Sequence, residues 1–287
     1  MLKAWQRRCI SIGMLCFGST AVIVLFPAAA CILFLIDLWH DRRFPLLRAY
    51  ILVAFYCLWE LLGVSAAFLV WLITRFVHGA SNNRFLSWNY ALQRLWVQGF
   101  ARAGLLLFSM TFRVEEGEYL PGERPIMLLV RHTSLADTIL ASHLMRVQHN
   151  FRLRYVMKRE LLWDPCLDIV GNRLPNYFVD RTSADTRQEA EAIALLAENL
   201  QPGEGVILWP ESTRFSPEKR IRALERLWDK GELGLLKIAE DMQYVLPPRL
   251  LGVLSLLERN PELAAFSKPV WAQKNTSSSG LRSRRLK

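Results

Sequence analysis

An α/β domain folded round a central sheet flanked by helices, and preceded by an N-terminal membrane helical hairpin, is what this chain of 287 residues calls for. Three observations lead there. Hydrophobic residues make up 52% of the chain, a large share for a soluble protein, and much of that share lies in two early runs. Residues 9–36 carry no charge and residues 49–74 carry only Glu60. Each run exceeds the ~20 residues that span a bilayer core. From Thr111 onward, short apolar strands such as IMLLV and GVILW alternate with amphipathic helical stretches, the pattern of a buried sheet with helices on its faces.

The first 80 residues therefore read as a hairpin of two helices, about 9–36 and 49–74, joined by the polar loop LWHDRRFP. A cleaved signal peptide is the competing reading, since Lys3, Arg7 and Arg8 precede the run and three alanines stand before Cys31. Against it, the apolar run continues through Leu33, Phe34 and Leu35, and a second run follows. Basic residues are denser at the two outer ends (Lys3, Arg7, Arg8; Arg75, Arg84, Arg94) than in the loop (Arg42, Arg43, Arg48). That bias puts the outer ends, and the domain after them, on the cytoplasmic face. Glu60 within the second run is a functional candidate as an intramembrane carboxyl, or, the favoured reading, a protonated structural group bonded to Ser19 or Thr20 across the hairpin.

Residues 81–110 read as an amphipathic helix, with Phe85, Trp88, Leu92, Leu95 and Trp96 on one stripe and Arg94, Gln98 and Arg102 on another. It suits the lipid surface or burial against the following domain. Residues 111–262 form the α/β domain, with TFRVEEG, NYFVD and QYVLPP as further strand candidates and KRIRALERLWDK and GLLKIAED as helices. Residues 263–287, polar and basic toward the end, read as a disordered tail.

Composition narrows the chemistry. The five cysteines form no C-x-x-C pair and no disulfide framework, in keeping with a reducing location. A net charge of +10 suits anionic lipid or phosphorylated substrates. Nucleic acid is not an expected partner, since no binding motif accompanies the charge. No metal is expected either: His143 and His149 lack ligand spacing, and His143 reads as a helix-surface residue.

The stretch HTSLAD follows an apolar strand and precedes a helix. On one helix, residues five apart point about 140° apart, so His132 and Asp137 meet only if His132 lies in the preceding turn and Asp137 in the first helical turn. Ser134 as N-cap would give that arrangement, and S-x-x-D is equally a plain capping box. WPESTR after GVILW brings Glu211 and Arg214 off another strand end, where α/β proteins place their sites. YFVDR ends a third strand in Arg181.

In order, HTSLAD, YFVDR, WPESTR and VLPP resemble the four motif blocks of the glycerolipid (lysophospholipid) acyltransferase family, of the 1-acylglycerol-3-phosphate acyltransferase type, over about residues 111–249. The resemblance implies an O-acyltransferase that moves a fatty acyl group from acyl-CoA or acyl carrier protein to a lysophospholipid hydroxyl such as that of lysophosphatidic acid, at a membrane and with no further cofactor. His132 is then the general base and Asp137 its partner. Glu211 and Arg214 hold the acceptor's glycerol and phosphate, and Arg181 and Lys158 add phosphate contacts. The chain departs from the usual motifs with Ser212 and Pro175 where glycine is common, and with Trp209 where phenylalanine is common. Serine fits poorly if that position needs a positive φ. The alternative is a catalytically silent membrane- or partner-binding protein whose sheet is cut short near Arg249; a hydrolase is a third reading.

Overall fold

A computed structural model describes residues 3–40, 43–76, 82–114, 124–131, 135–180, 185–266 and 270–274. The chain opens with helices α1 (Ala4–His40), α2 (Pro45–Phe76) and α3 (Asn82–Leu107). There follow β1 (Met110–Val114), β2 (Ile126–Leu129), α4 (Leu135–His143), β3 (Arg152–Lys158), α5 (Pro165–Gly171) and β4 (Tyr177–Val179). Next come α6 (Thr186–Ala194), β5 (Glu204–Leu208), α7 (Pro217–Asp229), α8 (Leu233–Glu240), α9 (Leu250–Arg259), β6 (Ala264–Phe266) and β7 (Val270–Lys274).

The central sheet has the order β4-β3-β5-β2-β6, and every neighbouring pair is parallel. Side chains alternate across it, as a strand's period of two requires. On one face Ile126, Leu128, Leu153, Tyr155 and Ile207 pack with Ala141 and Met145. On the other, Met127, Val206 and Leu208 pack with Ile193 and Leu196, with Leu256 of α9 and with Leu263. Gly205 sits where a Cβ would fall 2.5 Å from the Ile126 carbonyl oxygen, so only glycine lets β5 approach β2 there.

Helices α1 and α2, of 37 and 32 residues, are long and apolar enough to cross a membrane. At 1.5 Å per residue both exceed a ~30 Å hydrocarbon core. Asp37 near the end of α1 caps the start of α2, accepting from Leu46 N and Leu47 N at 3.3 and 2.8 Å. Tyr50 stacks on Phe26 and donates to the Val22 carbonyl at 3.2 Å, which fixes the antiparallel register.

The hairpin is bolted to the domain through α5 and α3. Arg7 and Arg8 both bond the buried Asp168. Tyr56 donates to Asp164 at 2.9 Å, and Asp164 in turn caps α5 through Leu167 N. Arg173 donates to the Ala67 carbonyl at 2.8 Å. The start of α1 and the domain therefore lie on one side of the hairpin.

Several expectations need correction. Glu60 is fully buried but bonds neither Ser19 nor Thr20: its Oε1 accepts from Trp96 Nε1 of α3 at 2.6 Å, and Thr20 bonds its own helix at Cys16 O. Among the described residues of the hairpin none bonds that carboxylate; α3 supplies the donor. Helix α3, for which the sequence allows both a surface setting and a buried one, buries Asn89, Tyr90, Val97, Phe100 and Ala101 while Trp88 and Leu95 stay exposed. The segment QYVLPP forms no strand, since its two prolines and the bonds of Leu246 and Arg249 commit it to a loop. The sheet does not stop near Arg249. Helix α9 crosses over to β6, which adds a parallel strand beside β2, and β7 pairs antiparallel with β1, so part of the supposed tail is structured. His143 is buried at the end of α4, where desolvation and then the Arg102 charge lower its pKa.

Candidate active site

Because all five strands of the sheet run the same way, the chain leaves each at one common edge. That edge is where open parallel sheets bind ligands. β2 is prolonged by Val130, whose N–H donates to the Leu208 carbonyl at 3.0 Å, and then gives Arg131. β3 ends in Lys158, β4 gives Asp180, and β5 gives Trp209 and Pro210.

His132 and Arg181 lie outside the described residues, in the connections that follow β2 and β4. Asp137 is the third residue of α4; its side chain also lies outside the described set. The structure thus places the backbone of Asp137 in the first helical turn of α4.

Lys158 and Arg214 do come together on one cavity, of about 950 Å³. Its apolar wall includes Tyr56, Trp59 and Leu62 of α2, Trp96 and Phe100 of α3, and Ile139 of α4. Lys158, Asp180, Arg214 and Arg249 give it a charged margin, with Trp209, Pro210 and Ser212 between. Such a chamber can hold a long apolar tail and an anionic head at once. Among the described residues, no hydrogen bond or ion pair engages the side chains of Lys158, Arg214 or Arg249.

Glu211 behaves differently. It is buried, and its Oε2 accepts from Leu246 N at 3.3 Å while Oε1 lies 3.9 Å from Arg131 Nε. Arg131 also donates to the Tyr244 carbonyl, and Arg249 N–H donates to the Pro210 carbonyl at 2.9 Å. Glu211 is therefore the staple between the loop after β5 and the stretch 244–249. Sequence spacing missed Arg131 and Arg249; the only signals were their places beside the HTSLAD and VLPP blocks.

The loop after β5 is held in a strained turn. Ser212 N–H donates to the Trp209 carbonyl at 2.9 Å and Thr213 N–H to the Glu211 carbonyl at 2.7 Å, which forces Ser212 to φ 59°. This is the left-handed region that favours glycine. Pro175 is accommodated without such strain, in a turn closed by Asn176 N–H to the Leu174 carbonyl. Lys219 of α7 steadies the WPESTR loop from outside through Thr213 Oγ1 and the Arg214 carbonyl.

The loops after β3 and β4 are tied by an Arg159–Asp180 ion pair. Tyr177 donates to Glu189 of α6 at 2.9 Å, and its phenol is pushed up to about 12 by desolvation, then by that bond and the Glu189 charge. The ends of β2, β3, β4 and β5 on this edge are thus tied to neighbouring elements.

The family model described as Acyltransferase matches residues 111–250, from β1 to the first residue of α9. The match supports an acyltransferase activity, and with the two apolar helices it supports a membrane acyltransferase. No curated protein and no solved structure matches the chain.

Proposed function

We propose that the chain is a membrane-anchored O-acyltransferase that moves a fatty acyl group from a thioester donor, acyl-CoA or acyl carrier protein, to the free hydroxyl of a lysophospholipid such as lysophosphatidic acid. The observation that carries this reading is the 950 Å³ cavity: within the family-matched region its margin sets Lys158, Arg214 and Arg249 against Asp180, and toward α2 and α3 its wall is aromatic and aliphatic. A lysophospholipid has that same division.

In this reading His132 takes the proton from the acceptor hydroxyl as its oxygen attacks the thioester carbonyl. Asp137 bonds the far ring nitrogen, holds the tautomer and stabilises the imidazolium. The tetrahedral intermediate collapses with loss of thiolate, which the imidazolium reprotonates. Oxygen gains the acyl group, sulfur gains the proton, and no covalent acyl-enzyme forms. Arg214, Lys158 and Arg181 hold phosphate, for which a guanidinium fork or an ammonium is suited. Glu211 serves acceptor binding by fixing the WPESTR loop. The acyl chain lies along Tyr56, Trp59, Trp96 and Phe100, next to the membrane that delivers it.

The test uses the purified full-length chain in detergent with acyl-CoA and lysophosphatidic acid, and a parallel arm with acyl carrier protein as donor. Thiol release that requires acceptor, with diacylated product, is the expected result. Thiol release without acceptor would make the protein a hydrolase. No release in either arm would leave a silent binding protein.

A further inference from the structure

The margin of the cavity holds a cation that no motif assigned. Arg249 follows VLPP, and its N–H to the Pro210 carbonyl, at 2.9 Å, sets it beside the turn that carries Ser212 and Arg214. Arg214, Ser212, Arg249, Leu251 and Gly252 all line the cavity. Neither guanidinium meets a carboxylate among the described residues, because Glu211, the nearest acid in sequence to Arg214, is turned to Leu246 and Arg131. Arg226 of α7 adds a third positive charge close enough to lower the pKa of Arg249, after the larger effect of desolvation.

Arg249 is also the residue before the first turn of α9, with no side-chain cap on that helix. A cation there faces the positive end of the helix dipole, an unfavourable placement that an anion between them would reverse. Among the described residues these three exposed arginines and the helix start meet no carboxylate, an arrangement with room for an anion.

We infer that Arg249, acting with Arg214, binds a phosphate group of a substrate at the cavity margin. The inference rests on the acyltransferase reading for its substrates and goes beyond it in adding a residue and in placing phosphate between the loop after β5 and the start of α9. Two phosphates fit the chemistry: the head group of the acceptor and the phosphates of a coenzyme A donor.

The experiment is direct binding to the full-length protein in detergent, by calorimetry, with lysophosphatidic acid, palmitoyl-CoA and a monoacylglycerol without phosphate as probes. Arg249→Gln keeps the N–H to Pro210 and removes the charge; Arg249→Lys keeps the charge. The Gln variant is expected to lose about tenfold or more in affinity for one phosphate-bearing probe, none for monoacylglycerol, with partial recovery in the Lys variant. Loss confined to lysophosphatidic acid identifies the acceptor phosphate, and loss confined to palmitoyl-CoA the donor's. Unchanged binding of both, equal loss for monoacylglycerol, no recovery with lysine, or a wild type that binds neither phosphate probe would overturn it. A wild type that binds a phosphate probe through Arg249 but transfers no acyl group would refute the enzymatic reading and leave this site standing.

Discussion

Arg7 grips the carboxylate of Asp168 from 161 positions away in sequence, donating from Nε at 3.1 Å and from Nη2 at 2.9 Å. Arg8 adds a bond at 3.2 Å and Asn172 one at 2.9 Å, so a fully buried acid is saturated by donors. The start of the apolar hairpin is thereby fastened to α5.

Breaking a buried pair by removing one partner leaves an uncompensated charge, at a cost of roughly 3–5 kcal/mol. Asp168→Ala removes the shared acceptor of Arg7, which is 17% exposed, and of Arg8, at 39% the freer to turn to solvent. It should therefore lower the thermal midpoint in detergent. Arg7→Ala should cost less, because Arg8 and Asn172 still serve the carboxylate. Equal midpoints for wild type and Asp168→Ala would show that the clamp does not hold the hairpin.

Ser212 stands at φ 59° where related motifs commonly carry glycine. Ser212→Gly should stabilise the fold by about 1 kcal/mol, the approximate penalty of a left-handed L-residue. The gain should appear as a higher thermal midpoint. Ser212→Val, β-branched, should destabilise and lower activity by displacing Arg214. A glycine variant no more stable than wild type would mean that the turn relaxes at no cost.

How far the fold could be read beforehand differs by element. The hairpin, the alternation of strands and helices, and the helices α7 and α8 were legible because each rests on local periodicity. The partner of Glu60 was not, since Trp96 belongs to another helix and long-range pairing leaves no trace in spacing. QYVLPP shows the same limit: apolar content suggested a strand, but Glu211 claims the Leu246 N–H and Pro210 that of Arg249, the residue after it. The strands β6 and β7 are three and five residues long and have edge partners, too little pattern to separate them from a tail. At the site, Arg214 stood out in the sequence because it follows a strand end, whereas Lys158 was singled out only through the family resemblance. Arg249 was not, because its significance depends on α9 and Pro210 meeting in space.

Acyl-chain preference should respond to the cavity wall. Gly104 lines it, and a Cβ built there meets nothing within 4 Å. Gly104→Leu therefore starts its side chain in open space at the cavity wall, adds volume there, and also favours helix α3. Transfer of long acyl chains should fall more than transfer of short ones, read as kcat/KM across a series of acyl-CoA lengths. A uniform change over the series would place the acyl chain elsewhere.

Arg214→Ala should raise the KM for lysophospholipid more than the KM for the acyl donor. Its guanidinium lies on the cavity wall without a protein partner among the described residues, so truncation removes a ligand contact and little stability. The reverse pattern, with donor KM affected more, would reassign that margin to the donor's phosphates.

The decisive pair is His132 and Asp137. A third residue in helix α4 can act as the far end of a capping box or as the orienting partner of a catalytic imidazole, and one substitution separates these roles. Asp137→Asn keeps an oxygen that accepts a hydrogen bond, so the helix start loses only its charge–dipole attraction, about 0.3–1 kcal/mol. An imidazolium loses its counter-charge altogether. Transfer should then fall by about 10²–10⁴, as should that of His132→Ala, while membrane localisation survives because the hairpin is untouched. Activity retained in Asp137→Asn, with only the thermal midpoint reduced, would assign the carboxylate to capping and remove the proton-transfer pair from the mechanism.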